Sequence, residues 1–310
     1  MLHTTFDDFF QLKARKYLIG AISLALEEDG HDLTSLGIFN LEETLHARII
    51  AKEDTLVAGL PVIPLVLERC APKGSFSYEI LAEEGSRVTP DPGHPPDYPP
   101  SYPPNYPVVA TMSGPAAALL KAERVILNFV THLSGIANLT SRYVAAMGDT
   151  RTRLLDTRKT LPCLRYPEKY AVLVGGGCNH RLNLEEMLMP KDNHVDRAGG
   201  ITPTVTALRK AYTPCPPIEV ECRTLADVDE AVACGVNRIM LDNMDLDTMR
   251  QALARIPESI ESEVSGGVTL ETIAAIAAIG PDFISVGRIT HSAPAADFSM
   301  RVSAMPAPQP

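Results

Sequence analysis

The chain has 310 residues, 45% hydrophobic and 21% charged, a globular balance with apolar material for one large domain or two ordinary ones. Its net charge of −10 and pI near 5.3 exclude a general nucleic-acid binder, which needs a positive field to hold phosphates. Six cysteines occur with no C-x-x-C pair, so reduced and mostly buried thiols are expected.

The opening stretch MLHTTFDDFFQLKARKY mixes acids and bases and lacks the apolar core of a signal peptide. No segment approaches the ~18 uninterrupted apolar residues of a membrane span. A soluble, cytoplasmic protein is the expectation. Phe10, Leu12, Tyr17, Leu18, Ala21, Ile22 and Leu26 recur at helical spacing and predict a helix over 6–28, ending at Gly30 and followed by a turn at His31–Ser35. Residues 46–52 and 76–82 read as strands, with an apolar helix at about 60–69 between them. This first part is a mixed α+β module.

Residues 89–107, TPDPGHPPDYPPSYPPNYP, hold nine of the 26 prolines in a degenerate Tyr-Pro repeat. Proline fixes φ and removes amide donors, which predicts a polyproline-II loop or an ill-ordered insertion. A docking site for a proline-binding module is the functional reading; a tolerated surface insertion is the plainer one. Next comes a long helical stretch from Ser113-Gly114-Pro115, with Leu119, Ala122, Val125, Ile126, Phe129 and Leu133 as its apolar stripe. Gly135 is a candidate bend or break, and Arg124 falls off the stripe, where a solvated arginine is the plainer reading.

Between Arg151 and Arg197, Lys and Arg number nine against six Asp and Glu, a basic island in an acidic chain. It carries three polar clusters: Asp156-Thr157-Arg158-Lys159, Asn179-His180-Arg181 and Lys191-Asp192-Asn193-His194. Each follows or edges an apolar run, as reacting groups do at the C-terminal ends of barrel strands. Arg158, Lys159, Arg181 and Lys191 supply donors for carboxylate or phosphate. Singly, each is as well explained as a solvated loop charge. Cys163 and Cys178 flank these clusters, but nothing marks either as an activated thiolate.

From residue 150 apolar runs alternate with amphipathic segments. Their polar breaks at Glu221, Asp242, Ser265 and Gly287 are spaced by 21, 23 and 22 residues, the period of short βα units. A parallel α/β barrel is predicted, with a doubly wound open sheet as runner-up that no G-x-G-x-x-G supports. Glu221 and Asp242 interrupt strongly apolar strands, where a carboxylate needs a partner: ribose hydroxyls, Mg²⁺, or an ion pair with Lys159 or Lys191. Ser265-Gly266-Gly267 and Gly287 follow the last strands, where backbone amides can approach a phosphate.

The stretches EEDGHDLTS, VAGLP, GPAAALLKAERVILNF, LSGIA, LDTRKT, EKYAV, GGGCNHR, KDNH, IEVE, IMLDNM, SGGVT and ISVGRITHS run in order over nearly the whole chain. In them the chain resembles the carboxylating nicotinate-nucleotide pyrophosphorylases, also called quinolinate phosphoribosyltransferases. The resemblance implies an α/β fold: an N-terminal α+β sandwich over 1–123, joined by the tail 290–310, and an open seven-stranded α/β barrel over 124–289. It implies transfer of a phosphoribosyl group from PRPP to quinolinate with decarboxylation, giving nicotinate mononucleotide, pyrophosphate and CO2. Lys159, Glu221 and Asp242 would be catalytic, and Arg158, His180, Arg181 and Lys191 would surround the quinolinate carboxylates and pyrophosphate. Ser265, Gly266, Gly267 and Gly287 would take the 5′-phosphate, and Glu221 and Asp242 would hold ribose hydroxyls directly or through Mg²⁺. Arg124 would be donated into the neighbouring subunit's site, which requires a homodimer or higher oligomer.

Leu161, Cys163, Tyr166-Pro167, Pro190 and Arg288 depart from the family pattern. Competing readings are a related phosphoribosyltransferase with another acceptor, as in the paralogues linked to molybdate transport, a Schiff-base barrel lyase using Lys159 or Lys191, and a catalytically dead adaptor.

Overall fold

A computed structural model describes residues 4–40, 42–91 and 106–303. Residues 92–105 of the proline-rich stretch and 304–310 of the tail, to which expectations were attached, lie outside the described residues. The chain divides into two units: Met1–Leu139 with Leu161–Gly175 and Ser292–Pro310, and Thr140–Thr160 with Gly176–His291.

In the first unit, Ala14, Leu18, Ile22 and Leu26 recur every fourth residue, and Leu12–Glu28 is accordingly a helix with that stripe buried. The helix expected over 6–28 is interrupted. A short turn, Phe6–Phe9, is closed by a Thr5–Asp8 capping box, and Leu12 takes a left-handed φ of 41°. The Phe6 and Phe10 rings each lie 5.3 Å from Tyr170, and the chain turns at Leu12 before the longer helix begins. The turn at His31–Ser35 passes directly into a further helix, Leu33–Ile38, because Asp32 accepts from the Ser35 amide and caps it.

The strand Thr44–Ala51 alternates exposed and buried side chains before running wholly buried, and it is central to an antiparallel sheet. The order across that sheet is Phe298–Ser303, Thr44–Ala51, Val108–Pro115, Ser77–Ile80. The last strand of the chain thus pairs with the first, through register pairs such as Arg48 with Arg301. The apolar helix Val62–Cys70 carries buried Val62, Ile63, Leu65, Val66 and Leu67.

Helix Ala116–Met147 is continuous over 32 residues, passing through the domain boundary expected at 123/124 and through the expected break at Gly135. Gly135 serves a close approach instead. A Cβ there would collide with the Pro294 carbonyl, where the tail crosses the helix and Ala296 donates to the Thr131 carbonyl at 3.0 Å. Cys163, which the family pattern would have as glycine, holds a φ of 66° in an exposed turn. Among the described residues, no helix is long and apolar enough to cross a membrane.

The second unit is a parallel sheet of five strands, ordered Arg153–Leu155, Phe283–Ser285, Glu261–Ser265, Arg238–Asp242, Glu219–Cys222. The barrel expectation called for seven. Single bridges, Leu155 with Cys178 and Leu188 with Ile218, extend the sheet at its two edges. Near them Gly175-Gly176-Gly177 and Pro190 interrupt regular pairing. The amphipathic segments between the strands form helices Leu225–Ala233, Leu246–Leu253 and Ile273–Ala278.

Register sorts the side chains. Glu219 pairs with Arg238 and Arg238 with Glu261; Glu221 with Met240 and Met240 with Glu263; Asp242 with Ser265. Because alternate residues share a face, one side of the sheet carries Glu219, Glu221, Arg238, Asp242, Glu261, Glu263 and Ser265. The other carries Val220, Cys222, Ile239, Leu241, Val264 and Ile284, all fully buried. An apolar side for helices and a polar interior follow from the same strands.

Two expected outcomes test this packing. Gly135→Ala forces a methyl group against the Pro294 carbonyl and should cost about 3 kcal/mol by denaturant unfolding. Glu84 is the second case. Its carboxylate accepts from the amides of Gly59 and Leu60, yet burial outweighs these bonds and raises its pKa from 4.5 to about 7. The folded chain therefore keeps a proton that the unfolded chain releases above 4.5. Stability present at lower pH is lost as pH rises from about 4.5 to about 7, by about 2 kcal/mol after discounting for a half-buried site. Glu84→Gln should remove that component of the pH dependence of Tm.

Candidate active site

The strand Arg153–Leu155 ends at Asp156, which is fully buried. A buried carboxylate needs donors, and it takes the side-chain amide of Asn179 at 2.7 Å and the backbone amide of His180 at 2.8 Å. The Asp156 amide donates to the Cys178 carbonyl at 3.1 Å. Two of the polar clusters are thereby joined, D-T-R-K to N-H-R.

Arg158 and Arg181 lie near one another: burial first, and then the Arg158 guanidinium, lower the Arg181 pKa. Arg181 is held by donation to the Met187 carbonyl at 2.8 Å, and its own amide donates to Nδ1 of His180 at 2.7 Å. His180 is buried, with Nε2 3.0 Å from Glu219 and 3.4 Å from Glu263. The third cluster reaches the same end of the sheet through Lys191, whose Nζ pairs with Oε2 of Glu221 at 3.0 Å. For Glu221, the ion-pair alternative with Lys191 is the one formed.

Asp242 ends its strand one residue before Asn243, which adopts a φ of 54° and donates to Oδ2 of Asp242 at 2.7 Å. The Asn243 amide donates to the Ser265 carbonyl at 3.0 Å. Gly266, at φ 92°, leaves no room for a Cβ beside the Asn243 side chain, while Gly267, at φ 62°, faces open space. This turn is compact on the protein side and accessible on the other, as an anion cradle must be. At Gly287 a Cβ would stand 2.9 Å from Cδ of Lys159 and 3.3 Å from Oγ1 of Thr157. Thr290 Oγ1 donates to the Lys159 carbonyl at 2.9 Å. The glycine therefore lets the Lys159 stem lie against the end of the last strand.

These contacts bring Lys159 to Gly287, Arg158 to Arg181, Lys191 to Glu221, and Asp242 to the Ser265–Gly267 turn towards the strand C-terminal ends, while His180 reaches Glu219 and Glu263 further down the sheet. Arg124 belongs to the first unit. It is exposed on helix Ala116–Met147 and lines, with Lys121 and residues 29–34, a cavity of about 440 Å³. The larger cavity, about 730 Å³, is bordered by Ile260, Gly280 and Asp282 near the strands' N-terminal ends, away from these groups.

Sequence reasoning did not single out Glu219 and Glu263, although both interrupt apolar strands as Glu221 and Asp242 do. The linking roles of Asp156, Asn179 and Asn243 are matters of loop geometry with no periodicity to betray them.

The family model described as "Quinolinate phosphoribosyl transferase, N-terminal domain" matches residues 32–134, and the corresponding C-terminal domain matches 136–301. The chain is 43% identical to a probable nicotinate-nucleotide pyrophosphorylase [carboxylating] of Synechocystis sp., over 84% of each chain. It is 40% identical to the Bacillus subtilis protein of that name, over 88% of each. Among solved structures, NadC from Streptococcus pyogenes matches with a TM-score of 0.83 at 36% identity, covering 94% of this chain and 98% of that one. The nicotinate-nucleotide pyrophosphorylase of Francisella tularensis matches with a TM-score of 0.83 at 30% identity, covering 95% and 99%. With both domains matched in order and the same fold in these relatives, the chain belongs to the quinolinate phosphoribosyl transferase family.

Proposed function

We infer that this chain is a decarboxylating quinolinate phosphoribosyltransferase. It moves the phosphoribosyl group of PRPP to the ring nitrogen of quinolinate and releases pyrophosphate and CO2, forming nicotinate mononucleotide for de novo NAD synthesis. The carrying observation is the gathering of Arg158, Lys159, Arg181 and Lys191 at one end of the sheet, beside two carboxylates and a glycine turn. A substrate pair with a dicarboxylate ring and a sugar bearing three phosphates calls for that cationic density.

In this reading Arg158, Arg181 and Lys191, with His180 beneath them, meet the quinolinate carboxylates and pyrophosphate. The Ser265-Gly266-Gly267 turn and the Gly287 backbone take the 5′-phosphate. As the C1–O bond to pyrophosphate breaks, its electron pair leaves with the pyrophosphate and positive charge grows at C1. Lys159 stabilises the departing anion, and Glu221 and Asp242 hold the ribose hydroxyls and face the developing cation. The ring nitrogen's lone pair then bonds to C1. Loss of CO2 leaves an electron pair on the adjacent ring carbon, which the cationic ring nitrogen stabilises until a proton replaces the carboxylate.

Mg²⁺ fits this donor set. Lys191 occupies Oε2 of Glu221 and Asn243 occupies Oδ2 of Asp242, and the remaining oxygen of each is a hard anionic ligand on the same face of neighbouring strands. Bound there, the ion would offset the charge of PRPP and its leaving group. We also place the bridges at Cys178 and Leu188 as the outer staves of an open seven-stranded barrel. Six unpaired cysteines suit a reducing compartment, the cytoplasm.

Nζ of Lys191 pairs with Glu221 rather than standing free in the cleft, as a Schiff-base lysine would. Arg124, exposed on its helix, is proposed to act in the site of a partner subunit. Exposed Leu33, which lines the same cavity, supplies apolar surface for such a contact.

Two measurements test the proposal. Production of nicotinate mononucleotide from quinolinate, PRPP and Mg²⁺ should be robust, nicotinate should not replace quinolinate, and Lys159→Ala should lower kcat about 10²- to 10³-fold. Arg124→Ala and Lys159→Ala should each be nearly inactive, yet a co-refolded equal mixture should regain about a quarter of wild-type activity, since half the dimers would hold one intact site. An absence of recovery would place Arg124 outside any shared site.

A further inference from the structure

The sheet interior holds more charge than the reaction requires. Glu219 and Glu263 are both fully buried beneath the site, and neither is expected to touch substrate. Arg238 lies on the strand between them, 3.3 Å from Glu263 and 2.7 Å from Glu261, with its guanidinium 4.1 Å from the Phe283 ring centre. Against two buried carboxylates it supplies one cation, shared with a third. His180 lies between these two carboxylates, so its tautomer is read from its contacts.

The Nδ1 side of the ring fixes the tautomer. The Arg181 amide points its hydrogen at Nδ1 of His180 from 2.7 Å, so Nδ1 must present a lone pair. An imidazolium would set N–H against N–H at that distance. The ring is therefore neutral, with its one proton at Nε2, aimed between the carboxylates at 3.0 and 3.4 Å rather than in line with either. The same tautomer leaves no lone pair at Nε2 for a metal ion, although ligand atoms of His180, Glu219 and Glu263 lie within 4.8 Å of one another.

We propose that His180 is a positioning residue rather than a substrate ligand: both ring nitrogens are spent inside the protein, Nε2 on Glu219 and Glu263 and Nδ1 on the Arg181 backbone. It fixes Arg181 where that residue meets an anionic carboxylate, with Glu219 and Glu263 as the anchors. The buried Asp156, accepting from the His180 amide at 2.8 Å, holds the same residue from its backbone side. This inference rests on the reading that Arg181 binds the dicarboxylate substrate.

The test separates the two readings. In ¹⁵N-histidine-labelled protein at pH 7.5, with the His180 signals assigned by their loss in His180→Asn, one protonated and one unprotonated ring nitrogen are expected, unchanged by added quinolinate. Two protonated nitrogens, with or without quinolinate, overturn the proposal. In kinetics, asparagine places an amide oxygen where Nδ1 was, whereas glutamine reaches only towards Nε2. His180→Asn should keep quinolinate KM within about threefold, while His180→Gln should raise it about tenfold with little change in kcat, the cost of one lost backbone hydrogen bond. Glu219→Gln, which keeps a carbonyl oxygen towards Nε2, should behave as His180→Asn does, and Glu219→Met as His180→Gln does. Equal losses within either pair count against positioning. Absence of quinolinate-dependent turnover in the wild type would instead remove the underlying functional reading, and the ring nitrogens would report independently of it.

Discussion

The site depends on a single carboxylate that water does not reach. Asp156 ends the first strand of the parallel sheet and is fully enclosed, so its charge must be met by fixed donors or not at all. It recruits the Asn179 side chain and the His180 backbone, and in doing so lays the N-H-R loop against the D-T-R-K loop. Removing such a partner would leave a buried charge uncompensated, a larger loss than one hydrogen bond is worth. Arg158 and Arg181 owe their proximity to this linkage, since neither is placed by helix or strand periodicity.

Around that linkage, strand register and glycine do the remaining positioning. The period of two sends Glu219, Glu221, Asp242, Glu263 and Ser265 to one face and the aliphatic residues to the other, so a polar interior and an apolar outer layer arise from one pattern. Gly287 and Gly266 then permit approaches that a Cβ would block, the first with the Lys159 stem and the second with Asn243. In each case a turn near the last strands is held against a residue from an earlier loop.

Much of this was legible beforehand for physical reasons. The spacing of Glu221, Asp242, Ser265 and Gly287 reads out βα units because a short strand, a loop and a short helix occupy nearly constant length. Carboxylates within aliphatic strands stand out because burial makes them costly. What remained hidden depends on contacts distant in sequence. Phe6 and Phe10 pack on Tyr170, more than 150 residues further along, a contact that helical spacing alone does not announce. Gly135 reads as a helix breaker until the crossing tail at Pro294 gives its missing side chain a reason. The five regular strands fall short of seven because the flanking segments are rich in glycine or carry Pro190, and each retains only one bridge. The family resemblance carried the names of the charged residues, but not the fact that Lys191 rests on Glu221 or that His180 is enclosed by acids.

The electrostatics of the candidate site bear on how it would work. Arg181 is partly desolvated and lies near a second guanidinium, and both effects lower its pKa, so its charged form is less stable there than in water. An incoming dianion relieves that penalty and adds its own attraction. Lys191 begins from the opposite condition, since Glu221 already satisfies it at 3.0 Å. A substrate that recruits Lys191 must compete with that carboxylate, and in doing so frees Glu221 for a ribose hydroxyl or a cation. On the proposed reading the two cations would respond differently to the same anion: the arginine pair would meet it directly, whereas the lysine would couple its arrival to the release of Glu221.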